Sequence, residues 1–152
     1  MKRVLSLILC MVSLLVLAVP AFAAERTEGN VVYRDEFTLE DGLTVVREIV
    51  DVSFARSAEK TYIQSWRISD GSSGVIADIA ITATYHCDGR SVYVVSKTVS
   101  RADTYYGWSF TQNYLVAGGG TVTLNGVLTK AARTMPITLT MTCDKDGNLL
   151  RS

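Results

Sequence analysis

The chain has 152 residues, with 15 Lys and Arg against 15 Asp and Glu, 48% hydrophobic residues, three cysteines and one histidine. Its length predicts no more than one sizeable domain, and its balanced charge offers no electrostatic footprint for nucleic acid or an anionic membrane surface.

The first elements read as an address. Lys2 and Arg3 precede an apolar run over residues 4–19, and Ala21 and Ala23 supply the small side chains a signal peptidase reads, so cleavage is expected after Ala23. A helix of about 16 residues rises roughly 24 Å, short of the roughly 30 Å hydrocarbon core, which favours an export signal over a permanent span. Cys10 lies inside the apolar run behind bulky Leu9, an unsuitable place for a lipid anchor. The division expected is therefore residues 1–23 as signal helix and residues 24–152 as one exported domain. It would be a monomer with a charge of about −2, free of the membrane once the signal is removed.

Period two dominates the chain from residue 31 onward. Weak alternation marks residues 31–37, 43–52 and 61–68, and strong alternation sets Val75, Ala77, Ile79, Ile81, Ala83 and Tyr85 against their neighbours. Residues 91–99, 108–117 and 121–130 come next, and then Met135, Ile137, Leu139 and Met141 alternate with Pro136 and threonines. Gly- and Asp-rich turns separate the runs at residues 40–42, 70–74, 87–90 and 118–120. About eight short strands with no sustained helical period predict an all-β antiparallel sandwich, the signal helix aside. The run from Val75 to Cys87 is long for one strand and predicts a bend or bulge within it.

Two runs end alike, "ITATYHCDGRS" and "ITLTMTCDKDGNL". Cys87 and Cys143 share phase with Tyr85 and Met141, so both point to the core from strand ends, and the Asp-Gly material after each is a turn. In an exported chain such a pair predicts a disulfide, closing a loop of roughly 57 residues and contributing about 4 kcal/mol. The alternative, a calcium loop at Asp144, Asp146 and Gly147, would put Thr142 at the first ligand position and leave no twelfth-position Glu. No cofactor is expected. His86 is the only histidine and points away from Cys87, which excludes a thiolate–imidazole dyad, and with both cysteines in a bridge a zinc or copper site lacks ligands.

The aromatic group "TYYGW" holds the best contact residues. Trp108 opens an apolar strand face and reads as core, whereas Tyr105 and Tyr106 lie in the connection, and Trp66 joins them as a further surface aromatic. Those rings suit a glycan or a cell-surface protein. The functional expectation is a non-catalytic exported protein acting by surface contact at or outside the cell envelope. A carbohydrate-binding module, a secreted effector or bacteriocin-like protein, and a small hydrolase built on a carboxylate pair are the alternatives.

The segments "LEDGLTVVREI", "RSAEKTY", "SDG" and the two cysteine-ended runs make residues 34–150 resemble a group of small secreted proteins of Gram-positive gut bacteria, a domain of unknown function. The resemblance implies an export signal followed by a β-sandwich and brings no activity with it. An immunoglobulin-like description is a looser analogy. Cys87, Trp108 and Cys143 give the right order, but Met141 stands where the tyrosine corner would place Tyr.

Overall fold

A computed structural model describes residues 29–39, 42–54 and 57–150. The expected signal segment and its cleavage site lie outside the described residues. The first sheet is a meander of β1 (Asn30–Thr38), β2 (Thr44–Asp51), β3 (Glu59–Asp70), β4 (Gly74–Cys87) and β5 (Val92–Thr104). The second runs β6 (Ser109–Gly118), β7 (Thr121–Lys130), β8 (Arg133–Cys143) and the two-residue β9 (Leu149–Leu150). All pairings are antiparallel. The fold is the expected antiparallel sandwich, and its eight main strands coincide with the period-two runs.

Every sheet neighbour is also a neighbour in sequence. An immunoglobulin domain sends its chain back and forth between sheets, so the likeness stops at architecture. The core is the alternating set read from sequence. Ala77, Ile79, Ile81, Ala83 and Tyr85 of β4 face Met135, Ile137, Leu139 and Met141 of β8, with Val122, Leu124 and Leu128 beside them, all buried. Trp108 joins this core, with the Arg133 guanidinium over its ring.

Two buried tyrosines tie the sheets together through their hydroxyls. Tyr85 donates to the Met141 carbonyl at 3.0 Å, and Tyr62 donates to the Gly147 carbonyl at 2.6 Å. Burial pushes the pKa of both phenols up, which keeps each a neutral donor.

The expected irregularity in the long run is present. Ile76 is an extra residue of β4 opposite the β3 pairs Ile68–Ala77 and Ser69–Val75. Its neighbour β5 is interrupted twice, at Ser100 and at Val95. Bulges of this kind twist an edge away from foreign strands, and β5 is an edge.

The two sheets are unequal, and this positions the sites. Sheet one has five full strands, and sheet two has three and a stub. Among the described residues, nothing in the second sheet beyond β9 covers the inner faces of β1 and β2, and these residues border a cleft along that side.

Candidate functional site

Three places carry chemistry: a hollow under Tyr105 and Tyr106, the open cleft between the sheets, and the cysteine pair.

The hollow lies on the outer face of sheet one. Asp78 is the single charge in the apolar β4 sequence, and its odd phase against Ala77 and Ile79 sends it outward. It faces Arg67 across β3 and Asp103 across β5. Its Oδ2 accepts from Arg67 Nη2 at 3.3 Å and from Arg101 Nη1 at 3.0 Å. Asp78 is only 7% exposed, and its Oδ1 is buried without a hydrogen-bond partner. A buried carboxylate oxygen left unpaired costs roughly 1–3 kcal/mol and accepts readily from any donor that reaches it. Above it stand Tyr105 and Tyr106, 45% and 62% exposed, which with Arg67, Val75 and Asp78 border a shallow, open hollow of about 350 Å³. The two rings are exposed, as the polar residues before them predict.

The connection that presents them is a tight turn in which the Trp108 amide donates to the Tyr105 carbonyl at 3.1 Å. Both central residues are left-handed, Tyr106 at φ 54° and Gly107 at φ 77°. Gly accepts this conformation freely and Tyr does not.

The cleft, of about 420 Å³, lies between the inner faces of β1–β3 and the β8–β9 wall. Tyr33, Arg47, Ile49, Tyr62 and Gln64 line one side, and Thr140, Met141, Asn148 and Leu149 the other. Arg47 is anchored: its Nε donates to Asp35 Oδ1 at 2.9 Å and its Nη2 to Asp35 Oδ2 at 2.8 Å and Tyr33 Oη at 2.9 Å. That guanidinium holds the Asp35 carboxyl below its ordinary pKa. Gln64 is 1% exposed, and its Oε1 is buried with no partner.

Trp66 is not the surface contact its sequence suggests. It shares phase with Tyr62, Gln64 and Ile68, so it turns inward, packs edge-on against Phe37 at 5.5 Å and is half-buried. Its Nε1 is buried without a partner.

Cys87 and Cys143 both point inward and their sulfurs stand 3.8 Å apart, unbonded in this structure. Adjacent His86 turns to the opposite face and stacks on Tyr93 at 5.0 Å, so the pair forms no dyad. Burial, and then the neighbouring Cys87, push the Cys143 thiol up to about 12. The Asp after each cysteine closes its own turn. Asp88 Oδ1 accepts the Arg90 and Ser91 amides, and Asp144 Oδ1 accepts the Asp146 and Asn148 amides.

The hydrolase alternative asks for two carboxylates across a cleft. Asp51 and Asp146 line opposite walls, but Asp51 accepts the Ser53 amide, and Asp146 lies exposed against the Lys145 ammonium on both oxygens. Neither has the apolar shelter of a glycosidase acid. Among the described residues no three His, Cys, Asp or Glu side chains gather as a metal site.

Sequence reading anticipates the exposure of Tyr105 and Tyr106 and the approach of the two cysteines, and it passes over Asp78 and Gln64. Signals for both exist: a lone charge in an apolar strand, and an amide at an inward phase. The chain matches no protein-family profile, no curated protein and no solved structure.

Proposed function

We propose that this chain is an exported, non-catalytic binding domain that contacts glycans at or outside the cell envelope through Tyr105 and Tyr106. The observation carrying this reading is the unpaired Asp78 Oδ1 beneath two exposed rings. Sugars present an apolar face that stacks on a ring and hydroxyls that donate to a carboxylate, and this hollow offers both partners. The two guanidiniums on Oδ2 hold the carboxyl group in one orientation, which suits a binding role. Export rests on the charged start, apolar run and Ala21–Ala23 ending of the leader. In an oxidising compartment Cys87 and Cys143 form the bridge that holds the sheets together at the far end.

The test is binding of the exported chain to peptidoglycan, mucin and host-cell glycans, repeated with Tyr105→Ala/Tyr106→Ala. Loss of two stacking contacts should weaken binding roughly tenfold or more with stability unchanged. Unchanged binding with a lowered melting temperature would make the rings a structural cover and overturn the reading.

A further inference from the structure

The hollow beneath Tyr105 and Tyr106 owes its shape to the bulge in β4, and that shape narrows its ligand. In unbroken alternation Val75 would turn inward with Ala77 and Ile79. The extra residue Ile76 shifts the phase, because Val75 pairs with Ser69 and Asp78 pairs with Arg67, two positions of one face of β3. Val75 and Asp78 therefore share the outer face, where Val75 is exposed, while Ile76 is buried. The Tyr105 amide donates to the Ile76 carbonyl at 2.9 Å, which ties the ring-bearing turn to the bulge.

A guanidinium, an isopropyl group, a carboxyl group and two phenol rings consequently border one spot. Asp78 Oδ1 is buried without a partner and calls for a donor. Arg67 gives an N–H to Asp78 Oδ2, and its side chain is 58% exposed, so an incoming acceptor can reach the rest of its fork. Val75 adds an apolar contact. Charge disfavours ions of either sign. A ligand ammonium would meet the Arg67 and Arg101 guanidiniums, and a ligand carboxylate would meet Asp78 and, opposite it on β5, Asp103. The group that fits is neutral and combines a donor, an acceptor and a methyl.

Resting on the glycan reading of the same hollow, we propose that the substituent it selects is the 2-acetamido group of a neutral sugar. The sugar ring stacks on the tyrosines. The acetamido N–H donates to Asp78 Oδ1, its carbonyl accepts from Arg67, and its methyl packs on Val75. A hydroxyl at the same carbon supplies the donor but neither the amide carbonyl nor the methyl. A free amine places a cation in front of two guanidiniums.

The test is calorimetric titration of protein recovered from the medium with trisaccharides of one linkage, built from 2-acetamidoglucose, glucose or 2-aminoglucose. The acetamido trisaccharide should bind roughly tenfold more tightly than the glucose one, and the amino one should bind most weakly. An O-acetyl analogue keeps the carbonyl and methyl but lacks the N–H. It should bind about tenfold more weakly than the acetamido sugar, a signature that does not depend on any protein variant folding. Val75→Thr is nearly isosteric and suits an exposed strand position. It should lower the acetamido preference several-fold and leave glucose binding unchanged. Four results overturn the inference while ring-borne glycan binding stands: glucose binding as tight as acetamido binding, the amino sugar binding tightest, an O-acetyl analogue equal to the acetamido sugar, or a preference untouched by Val75→Thr. If no glycan binds the parent more tightly than Tyr105→Ala/Tyr106→Ala, the glycan reading itself fails and the inference falls with it.

Discussion

The sulfurs of Cys87 and Cys143 face each other at 3.8 Å, one at the end of β4 in the first sheet and the other at the end of β8 in the second. A disulfide needs about 2.05 Å between sulfurs, so a small closing movement converts the contact into a covalent tie between sheets. Protein recovered from the medium should show no free thiol by mass spectrometry, and Cys143→Ala should then cost roughly 2–5 kcal/mol in chemical unfolding. Two reactive thiols in protein from the medium would show that the sheets hold by packing alone. In reduced protein, iodoacetamide should label half-buried Cys87 well before Cys143, whose thiol is buried and held protonated up to about 12.

The close approach of sheet two's own strands gives a sharper packing test. Gly126 of β7 lies under Phe110 of β6, and an added methyl there would meet the Phe110 ring and the Thr111 carbonyl. Gly126→Ala should destabilise by roughly 1–3 kcal/mol, because one neighbour is a half-buried ring packed against the core and the other is backbone that cannot swing away. A fall in the denaturation midpoint with an unchanged slope is the expected readout. Phe110→Leu in the same chain should restore part of the loss.

Strand positions are legible because alternation is a property of neighbours in sequence, and Ala77 to Tyr85 or Met135 to Met141 declare their inward face residue by residue. The turns are legible for a similar reason, since Asp88 and Asp144 bond amides only a few residues away. What each face meets is not legible. Trp66 reads as a spare aromatic until β3 is seen between β2 and β4 with its Tyr62–Ile68 phase turned inward. The cleft arises from a count of strands per sheet, and no local pattern encodes how far β9 extends along β8. Asp78 stands out in sequence as a lone charge in an apolar strand, but its setting does not, because its partners Arg67 and Arg101 lie on two other strands.

Asp35 and Arg47 carry a pH dependence whose sign can be stated. The Arg47 hydrogen bonds, with a further one from Tyr33, hold the Asp35 carboxyl below its ordinary value of 3.8. A depressed folded value means the pair stabilises above the unfolded value, and this contribution is lost as pH falls from about 3.8 through the lower folded one. Asp35→Asn should cost roughly 1 kcal/mol at neutral pH, and the gap between variant and parent should close in acid below that window. A gap constant from about pH 7 to pH 2 would show that the carboxylate charge contributes nothing.

Tyr106 offers the prediction that separates fold from function. Its φ of 54° beside Gly107 at 77° matches a two-residue turn that favours Asn-Gly, yet the chain places a bulky ring at the first position. A non-glycine residue there stores about 1 kcal/mol or more, and strain of this kind persists where a side chain is needed in a fixed place. Tyr106→Asn keeps the turn and relieves the strain. Because the ring is 62% exposed, little burial is forfeited, and the melting temperature should rise by about 2–5 °C. The same variant should lose much of any glycan affinity, since the flat apolar face is gone. Tyr106→Phe retains both strain and stacking, so it should match the parent in melting temperature and keep most of the binding. If Tyr106→Asn instead lowers the melting temperature, the ring is covering Asp78 and Val75 as part of the fold. A variant that is more stable and weaker in binding would mean that this turn is strained in order to present the ring.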